Sequence, residues 1–259
     1  MYAIWRFGSA EQKARWLGPM AAGEAIGCFA LTEPDAGSDP AAMRTRAARD
    51  GGGWRLDGAK MWITNDSRAD VAVVWARAGE GVRGFLVPAG APGLTAADMG
   101  RKLSFRASVT SELVLDGVRV PAEAVLPGAS GMRAPLSRLT EARDGIVWGT
   151  VGGARACLEA ALAHWGSRVQ FGRPIAGFQL THAKLADMAA AVTTAGLLAV
   201  RLAQLKDAGR LRAEQVSLGK LNNARSALAV ARAARTNLGA NGLTLEYPVM
   251  RHRPTWRRC

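Results

Sequence analysis

The sequence predicts an α+β fold: an antiparallel β-barrel or sandwich, followed by a C-terminal helical bundle that is incomplete. Two contrasts along the chain lead to this expectation. Between about 26 and 130, short apolar runs alternate with Asp-Gly, Gly-rich and Pro-containing turns, and no helical pattern intervenes. After Pro135 the pattern changes to long helical segments. A length of 259 residues is enough for one or two domains with real cores. The expected organisation is a helix within 1–26, a middle β-domain over 27–135 and a helical bundle over 136–259.

Taken in order, residues 9–24 read as a helix, because Ser9 with Gln12 three positions on forms a capping box. Standing at the start of the chain, this helix is expected to find little to pack against. Residues 54–64 read as two short strands joined by a turn at Asp57-Gly58, the strongest local hairpin signal. Strands follow at Val71–Arg77, Val82–Val87 and Ser111–Pro121, the last with a second Asp-Gly turn at Asp116-Gly117. The helical segments are expected at 137–169, 178–208 and 212–238, with breaks at Gly172-Arg173-Pro174 and Asp207-Ala208-Gly209. In the third helix, Ser217, Leu221, Ala224, Leu228 and Ala231 draw one narrow stripe of close-packing residues.

Composition excludes several classes. A net charge of +13 invites a nucleic-acid reading, but the arginines are scattered and no basic cluster is interleaved with aromatics, so no nucleic-acid partner is expected. The excess positive charge suits an anionic small ligand. Cys28, Cys157 and Cys259 are odd in number and lack metal spacing, which points to a reducing compartment, and no signal peptide opens the chain. The expected location is cytoplasmic. The three histidines, His164, His182 and His252, form no i,i+4 pair, so no metal is expected. The longest charge-free apolar stretch, near 188–200, is too short to span a bilayer.

Four stretches carry the chemistry. The first runs from Phe29, Ala30, Leu31 and Thr32 through Glu33 and Pro34 to Ser38 and Asp39. Its irregular backbone and small hydroxyls suit a polyanionic or heteroaromatic ligand. The second is Met61-Trp62-Ile63-Thr64-Asn65. The third is Arg168 through Phe171, Gly172 and Arg173 to Gln179, with Lys184 to Met188 after it. The fourth is Asn237-Leu238-Gly239-Ala240-Asn241-Gly242. In this order and spacing they resemble the acyl-CoA dehydrogenase family of flavoproteins. Within the family, the stretches Val74–Arg77, Lys102–Ser108 and Glu141–Gly149 look most like the glutaryl-CoA dehydrogenases.

The resemblance implies a role in fatty-acid or amino-acid catabolism, with FAD between the β-domain and the bundle. Phe29, Ala30, Leu31, Thr32 and Ser38 would line the flavin, and Trp62, Ile63 and Thr64 would pack beside its reactive side. Arg168, Phe171 and Gln179 would reach the diphosphate and adenosine of a neighbouring subunit's cofactor. Leu238, Gly239, Ala240 and Asn241 would offer backbone amides to the same cofactor. The family has a glycine where Ala240 stands, which is tolerable at negative φ. Ser38 and the run Leu136, Ser137, Arg138, Leu139, Thr140, Glu141, Ala142 and Arg143 correspond to acyl-CoA contacts, with Arg143 facing CoA phosphate. The implied partners are an acyl-CoA substrate, an electron-transfer flavoprotein as acceptor and further copies of the chain, the family being tetrameric.

The catalytic base of this branch is a glutamate in a Tyr-Glu-Gly-Thr stretch, which these residues do not include. No catalytic residue is therefore assigned, and this polypeptide is expected to be inactive. Residues 1–26 resemble the closing helix of an N-terminal helical domain. Residues 253–259 resemble nothing in the family and read as an out-of-frame tail, since loss of one G from codons for Arg-Ala-Asn-Leu-Glu-Ala-Val-Leu yields Arg253 to Cys259 and then a stop. A straight- or branched-chain acyl-CoA dehydrogenase, or a FAD- or CoA-binding remnant without turnover, are the alternatives.

Overall fold

The computed structural model describes residues 1–79 and 81–256, with side chains described to residue 252. Its residues form two compact units, Met1–Arg138 and Leu139–Cys259.

The first unit opens with helices α1 (Tyr2–Phe7) and α2 (Ala10–Ala22). The capping box forms as expected: the Ser9 side chain accepts from the Gln12 amide at 3.2 Å, and the Ser9 amide donates to Gln12 Oε1 at 2.9 Å. The helix does find a partner, contrary to the expectation. Gln12 is buried and its Nε2 donates to the carbonyls of Glu123 (2.7 Å) and Val125 (3.0 Å), while Ile4 is fully buried. Residues distant in sequence supply that docking surface.

The sheet contains β1 (Gly27–Ala30), β2 (Arg46–Asp50), β3 (Gly53–Thr64), β4 (Val71–Ala78), β5 (Gly81–Pro88), β6 (Leu94–Asp98) and β7 (Thr110–Val120). Strands β2 and β6 give no sequence signal, because Arg-Ala-Ala-Arg-Asp and Leu-Thr-Ala-Ala-Asp lack β-branched alternation. The strand order is β1-β4-β2-β3-β7-β6, with β5 on the other edge of β4. The fold class is as expected, but the ladders are mixed. β1 and the start of β2 both run parallel to β4 and pair with successive stretches of one edge of it, with the long 31–45 loop leaving and rejoining that edge between them.

Neither Asp-Gly pair makes a hairpin turn. The β2–β3 hairpin turns at Gly51-Gly52, and β3 runs unbroken from Gly53 to Thr64. Asp57-Gly58 and Asp116-Gly117 instead face each other in a bulge of the β3–β7 ladder, where the register slips between Leu56 and Gly58. Asp57 Oδ1 accepts the Gly117 amide at 3.0 Å, and Gly117 sits at φ 62, which a side chain resists. The same local preference for positive φ serves a bulge as well as a turn. The interior is apolar, with Trp54 edge-on to Phe85 at 5.4 Å and Trp75 fully buried.

The second unit is helical. Helices α3 (Arg133–Ser167, starting in the first unit), α4 (Gln179–Asp207) and α5 (Ala213–Asn237) match the predicted segments within a few residues, and α6 (Val249–Trp256) follows. The predicted out-of-frame tail begins within α6, and its side chains lie outside the described residues. The buried face of α5 overlaps the predicted stripe but is partly rotated from it. Ala224 and Ala231 are buried as expected and Leu228 is half-buried, but Val216, Gly219, Asn223, Ala227, Val230 and Ala234 are buried too, whereas Leu221 is 48% exposed and Ser217 is exposed. Asn223 explains the rotation. Its buried Nδ2 donates to the carbonyls of Val147 (3.2 Å) and Ala195 (3.0 Å), so this polar residue locks α5 to α3 and α4. Helix α4 is long and apolar enough to cross a membrane by length and composition, unlike the shorter 188–200 stretch weighed from sequence; Met188, Ala195, Ala199 and Leu202 on it are buried in the unit.

Candidate functional site

The candidate site in the first unit grows from the C-terminal ends of β1 and β3. Both strands leave regular pairing there. In β3 the register slips again between Lys60 and Ile63, two residues facing one across the ladder to β7. This bulge changes which side chains point inward. Lys60 and Ile63 are buried, whereas Trp62 is 54% exposed at φ 64. Without the bulge, strict alternation would bury Trp62 beneath Lys60. Asn65, at the end of the stretch, also has φ 64. Bulky side chains at positive φ cost about 1–3 kcal/mol and cluster at ligand sites.

The 29–38 stretch lies against this bulge. The Met61 amide donates to the Thr32 carbonyl at 2.8 Å, so the strand end bearing Trp62 and Thr64 adjoins Thr32. Ala30 and Leu31 are buried, Phe29 and Thr32 half-buried, and Ser38 and Thr64 exposed. Phe29 stacks obliquely on Trp75 at 5.9 Å, so its ring supports the core as well as the loop. On the core-facing side of β1, Cys28 Sγ donates to Asp66 Oδ1 at 3.3 Å. Burial, then the Asp66 charge, pushes the Cys28 thiol far up; burial likewise raises the Asp66 carboxyl.

Two charged residues within these stretches were given no role by sequence reasoning. Lys60 Nζ is fully buried and donates to Glu33 Oε1 at 2.9 Å and to the Leu31 carbonyl at 3.1 Å. The Glu33 carboxylate also accepts the amides of Arg44 (2.6 Å) and Thr45 (3.0 Å). Burial works against ionised Glu33, but the Arg44 amide, Lys60 and Thr45 overcome it and hold the carboxyl below its ordinary range. Burial pulls the Lys60 ammonium down, with Glu33 opposing. The available signal was a lysine directly before the apolar Met61-Trp62-Ile63 run and a glutamate just after the apolar Phe29-Ala30-Leu31 run. Arg77 secures the far side of the loop, donating to the carbonyls of Met43 (2.8 Å) and Ala41 (2.5 Å).

In the second unit, Arg168 and Gln179 flank a two-residue-stranded hairpin, Val169–Gln170 with Arg173–Pro174, closed by the Ile175 amide donating to the Arg168 carbonyl at 2.9 Å. Its tip is Phe171-Gly172, both at positive φ, and Phe171 is 94% exposed. Arg168 and Gln179 are exposed as well. The 237–242 stretch leaves the end of α5 and enters a 3-10 helix over Gly239–Leu243. Leu238 points into the core, Ala240 and Asn241 face solvent, and Gly242 is packed so that a Cβ would lie 2.5 Å from the Arg235 carbonyl. Gly239 takes the positive φ and Ala240 does not, so alanine is accommodated there.

The 136–143 run is the first part of α3. Ser137 Oγ donates back to the Ala134 carbonyl at 2.7 Å. Glu141, with Asp144, is paired to Lys206 Nζ at 2.7 Å. That ion pair ties α3 to α4, a packing role for Glu141 besides the acyl-CoA contact expected of it. Leu136 is 41% exposed, and Arg138, Leu139, Thr140, Ala142 and Arg143 are half-buried.

Comparison with known proteins now bears on this arrangement. Residues 28–118 match the model of the acyl-CoA dehydrogenase middle domain, and residues 129–257 that of the acyl-CoA dehydrogenase C-terminal domain. The crystal structure of a glutaryl-CoA dehydrogenase from Mycobacterium smegmatis superposes with a TM-score of 0.98 at 63% identity, covering 99% of this chain and 66% of that one. A second glutaryl-CoA dehydrogenase structure from the same organism, in complex with FADH2, superposes equally well at 57% identity, covering 99% of this chain and 67% of that one. The mitochondrial short-chain specific acyl-CoA dehydrogenase of Bos taurus is 39% identical over 256 residues, covering 96% of this chain. The chain spans 62% of that relative's length.

Proposed function

Because the chain belongs to the acyl-CoA dehydrogenase family, we propose that it forms the middle and C-terminal part of a FAD-dependent enzyme that oxidises glutaryl-CoA across Cα–Cβ and decarboxylates it to crotonyl-CoA. The observation that carries the reading is the Met61–Thr32 hydrogen bond of 2.8 Å, beside which a bulge turns Trp62 outward. The residues present suit the group: an exposed indole offers a flat apolar wall, and a hydroxyl and irregular backbone adjoin it. FAD, when bound, supplies the hydride acceptor.

The chain's own residues then have distinct tasks. Trp62, Ile63 and Thr64 would form one wall of the slot and exclude water from it. Thr32 and the backbone around it would bond the ring edge. Arg168 would present its guanidinium fork to a diphosphate, with Gln179 beside it. Ser38 and Arg143 would contact the acyl-CoA. The Tyr-Glu-Gly-Thr stretch that carries the base does not occur among these 259 residues, so the polypeptide by itself would bind flavin without turnover. Electron-transfer flavoprotein would be the acceptor of the whole enzyme, which would assemble as a homo-oligomer.

The 39% identity to a short-chain enzyme favours a second reading, in which the substrate is a short straight-chain acyl-CoA. The test is anaerobic titration of the flavin-loaded polypeptide with glutaryl-CoA and with butyryl-CoA. Tighter perturbation of the flavin spectrum by glutaryl-CoA, without bleaching, is expected. Equal or stronger response to butyryl-CoA would favour the second reading. Rapid bleaching would overturn the claim of inactivity, and failure to bind flavin would overturn the site.

A further inference from the structure

We infer that the buried Glu33–Lys60 ion pair is the positioning device of the flavin slot, fixing Thr32 against Trp62; this deepens the reading above and rests on it. The geometry is specific. Glu33 follows Thr32 directly, and Lys60 precedes Trp62 by two residues. The Lys60 side chain is fully buried and that of Glu33 is 6% exposed, with 2.9 Å between their charged atoms. Together they tie three places: the loop start at the Leu31 carbonyl, the loop end at the Arg44 and Thr45 amides, and β3 immediately before its bulge.

An ion pair is an expensive way to fill a core. Apolar replacements of similar volume are often neutral or stabilising, so stability alone explains such a pair poorly. What the pair does that an apolar contact cannot is impose direction. Each Lys60 hydrogen bond requires one carbonyl or carboxylate oxygen at one place, and each Glu33 oxygen has its own backbone donors. The pair therefore sets the register of a loop against a strand where no ladder does so. The Met61–Thr32 bond lies next to it and takes its length from that register. Thr32 and Trp62, the two groups proposed to touch the ring, sit on backbone that flanks this pair. Glu33 and Lys60 do not themselves reach into solvent, so they are positioning residues.

The test uses the 259-residue chain and the double substitution Glu33→Gln with Lys60→Met, which keeps one acceptor oxygen, for either the Arg44 or the Thr45 amide, and fills the lysine volume. Three quantities are read: thermal stability, amide hydrogen exchange of the flavin-free protein at Thr45 and Met61, and FAD affinity by flavin fluorescence. The expected result is a melting temperature close to that of the parent, exchange at Met61 about tenfold faster, and FAD affinity about tenfold weaker with a less perturbed flavin spectrum. Lys60→Arg, which restores a cation beside Glu33, recovers part of the affinity. Parent-like exchange, or FAD affinity within about twofold of the parent, overturns the inference while leaving the flavin site standing. If the parent binds no FAD, the functional reading falls, and the exchange arm still decides whether the pair sets the register.

Discussion

Two segments that the family resemblance assigns to FAD binding, the second to a neighbouring subunit's cofactor, are built in opposite ways. The 31–45 loop is tied from within by a buried ion pair, two backbone amides on one carboxylate, and Arg77 on two carbonyls. The 168–178 hairpin is anchored at one end by Ile175 and Ala176 against the helical core, while its tip has only its own turn and the contacts of Arg173 and Phe171 with the Phe178 ring, and holds Phe171 almost wholly in solvent. Each is associated with an aromatic residue at positive φ, Trp62 on the strand beside the first and Phe171 in the second. The first segment is pre-organised by the unit that contains it. The second offers groups whose fixed geometry has no support of that kind from its own unit, which suits contact with a ligand or another copy of the chain. Pre-organisation follows buried polar bonds, and motif content alone does not reveal it.

The sharpest way to break the contrast is Glu33→Ala. It leaves the Lys60 ammonium buried and unpaired, so a loss of about 3–5 kcal/mol is expected in denaturant unfolding, far more than any substitution in the 168–178 hairpin. Next comes Gly58→Ala, since a Cβ there would stand 2.7 Å from the Thr45 backbone at φ 150; about 1–3 kcal/mol should be lost by the same measurement.

Acid should separate the segments as well. Glu33 is held below its ordinary value of 4.5 when folded. The unfolded chain therefore binds the proton first as pH falls, and folded-state stability drops as pH descends from the ordinary value through the folded one. Glu33→Gln should flatten that part of an acid-unfolding curve. In the other segment, Arg173→Ala removes a surface cation–π contact and should cost only about 0.5–1 kcal/mol. Smallest of all, Trp62→Ala should change stability by no more than about 0.5 kcal/mol while abolishing tight FAD binding in a fluorescence titration, because the indole is 54% exposed and the backbone strain at φ 64 is the same for alanine.

Much of this was legible beforehand, and particular residues show why the rest was not. Ser9 and Gln12 announced α2 because a capping box is local chemistry. The long helices were readable from composition and breaks. Asp57-Gly58 and Asp116-Gly117 were misread as turns because a two-residue preference for positive φ does not say whether the chain reverses or merely bulges; only the facing strand decides. The α5 stripe was right at Ala224 and Ala231 but missed its centre, because Asn223, polar by type, is buried against two helix carbonyls that lie 76 and 28 residues away. Trp62, Thr32 and Arg168 were singled out as motif members, but their surroundings were not readable. Glu33 and Lys60 went without a role because, 27 residues apart, nothing local couples them.

The sequence by itself determined the order of strands then helices, the caps and breaks, and the family of motifs, since each depends on residues within a few positions of one another. The tertiary structure alone decided which way the strands run, where the bulges fall, and that Trp62 faces outward while Lys60 faces in. Those outcomes depend on pairing register and on polar bonds between distant residues, whose energies exist only once the chain has closed on itself.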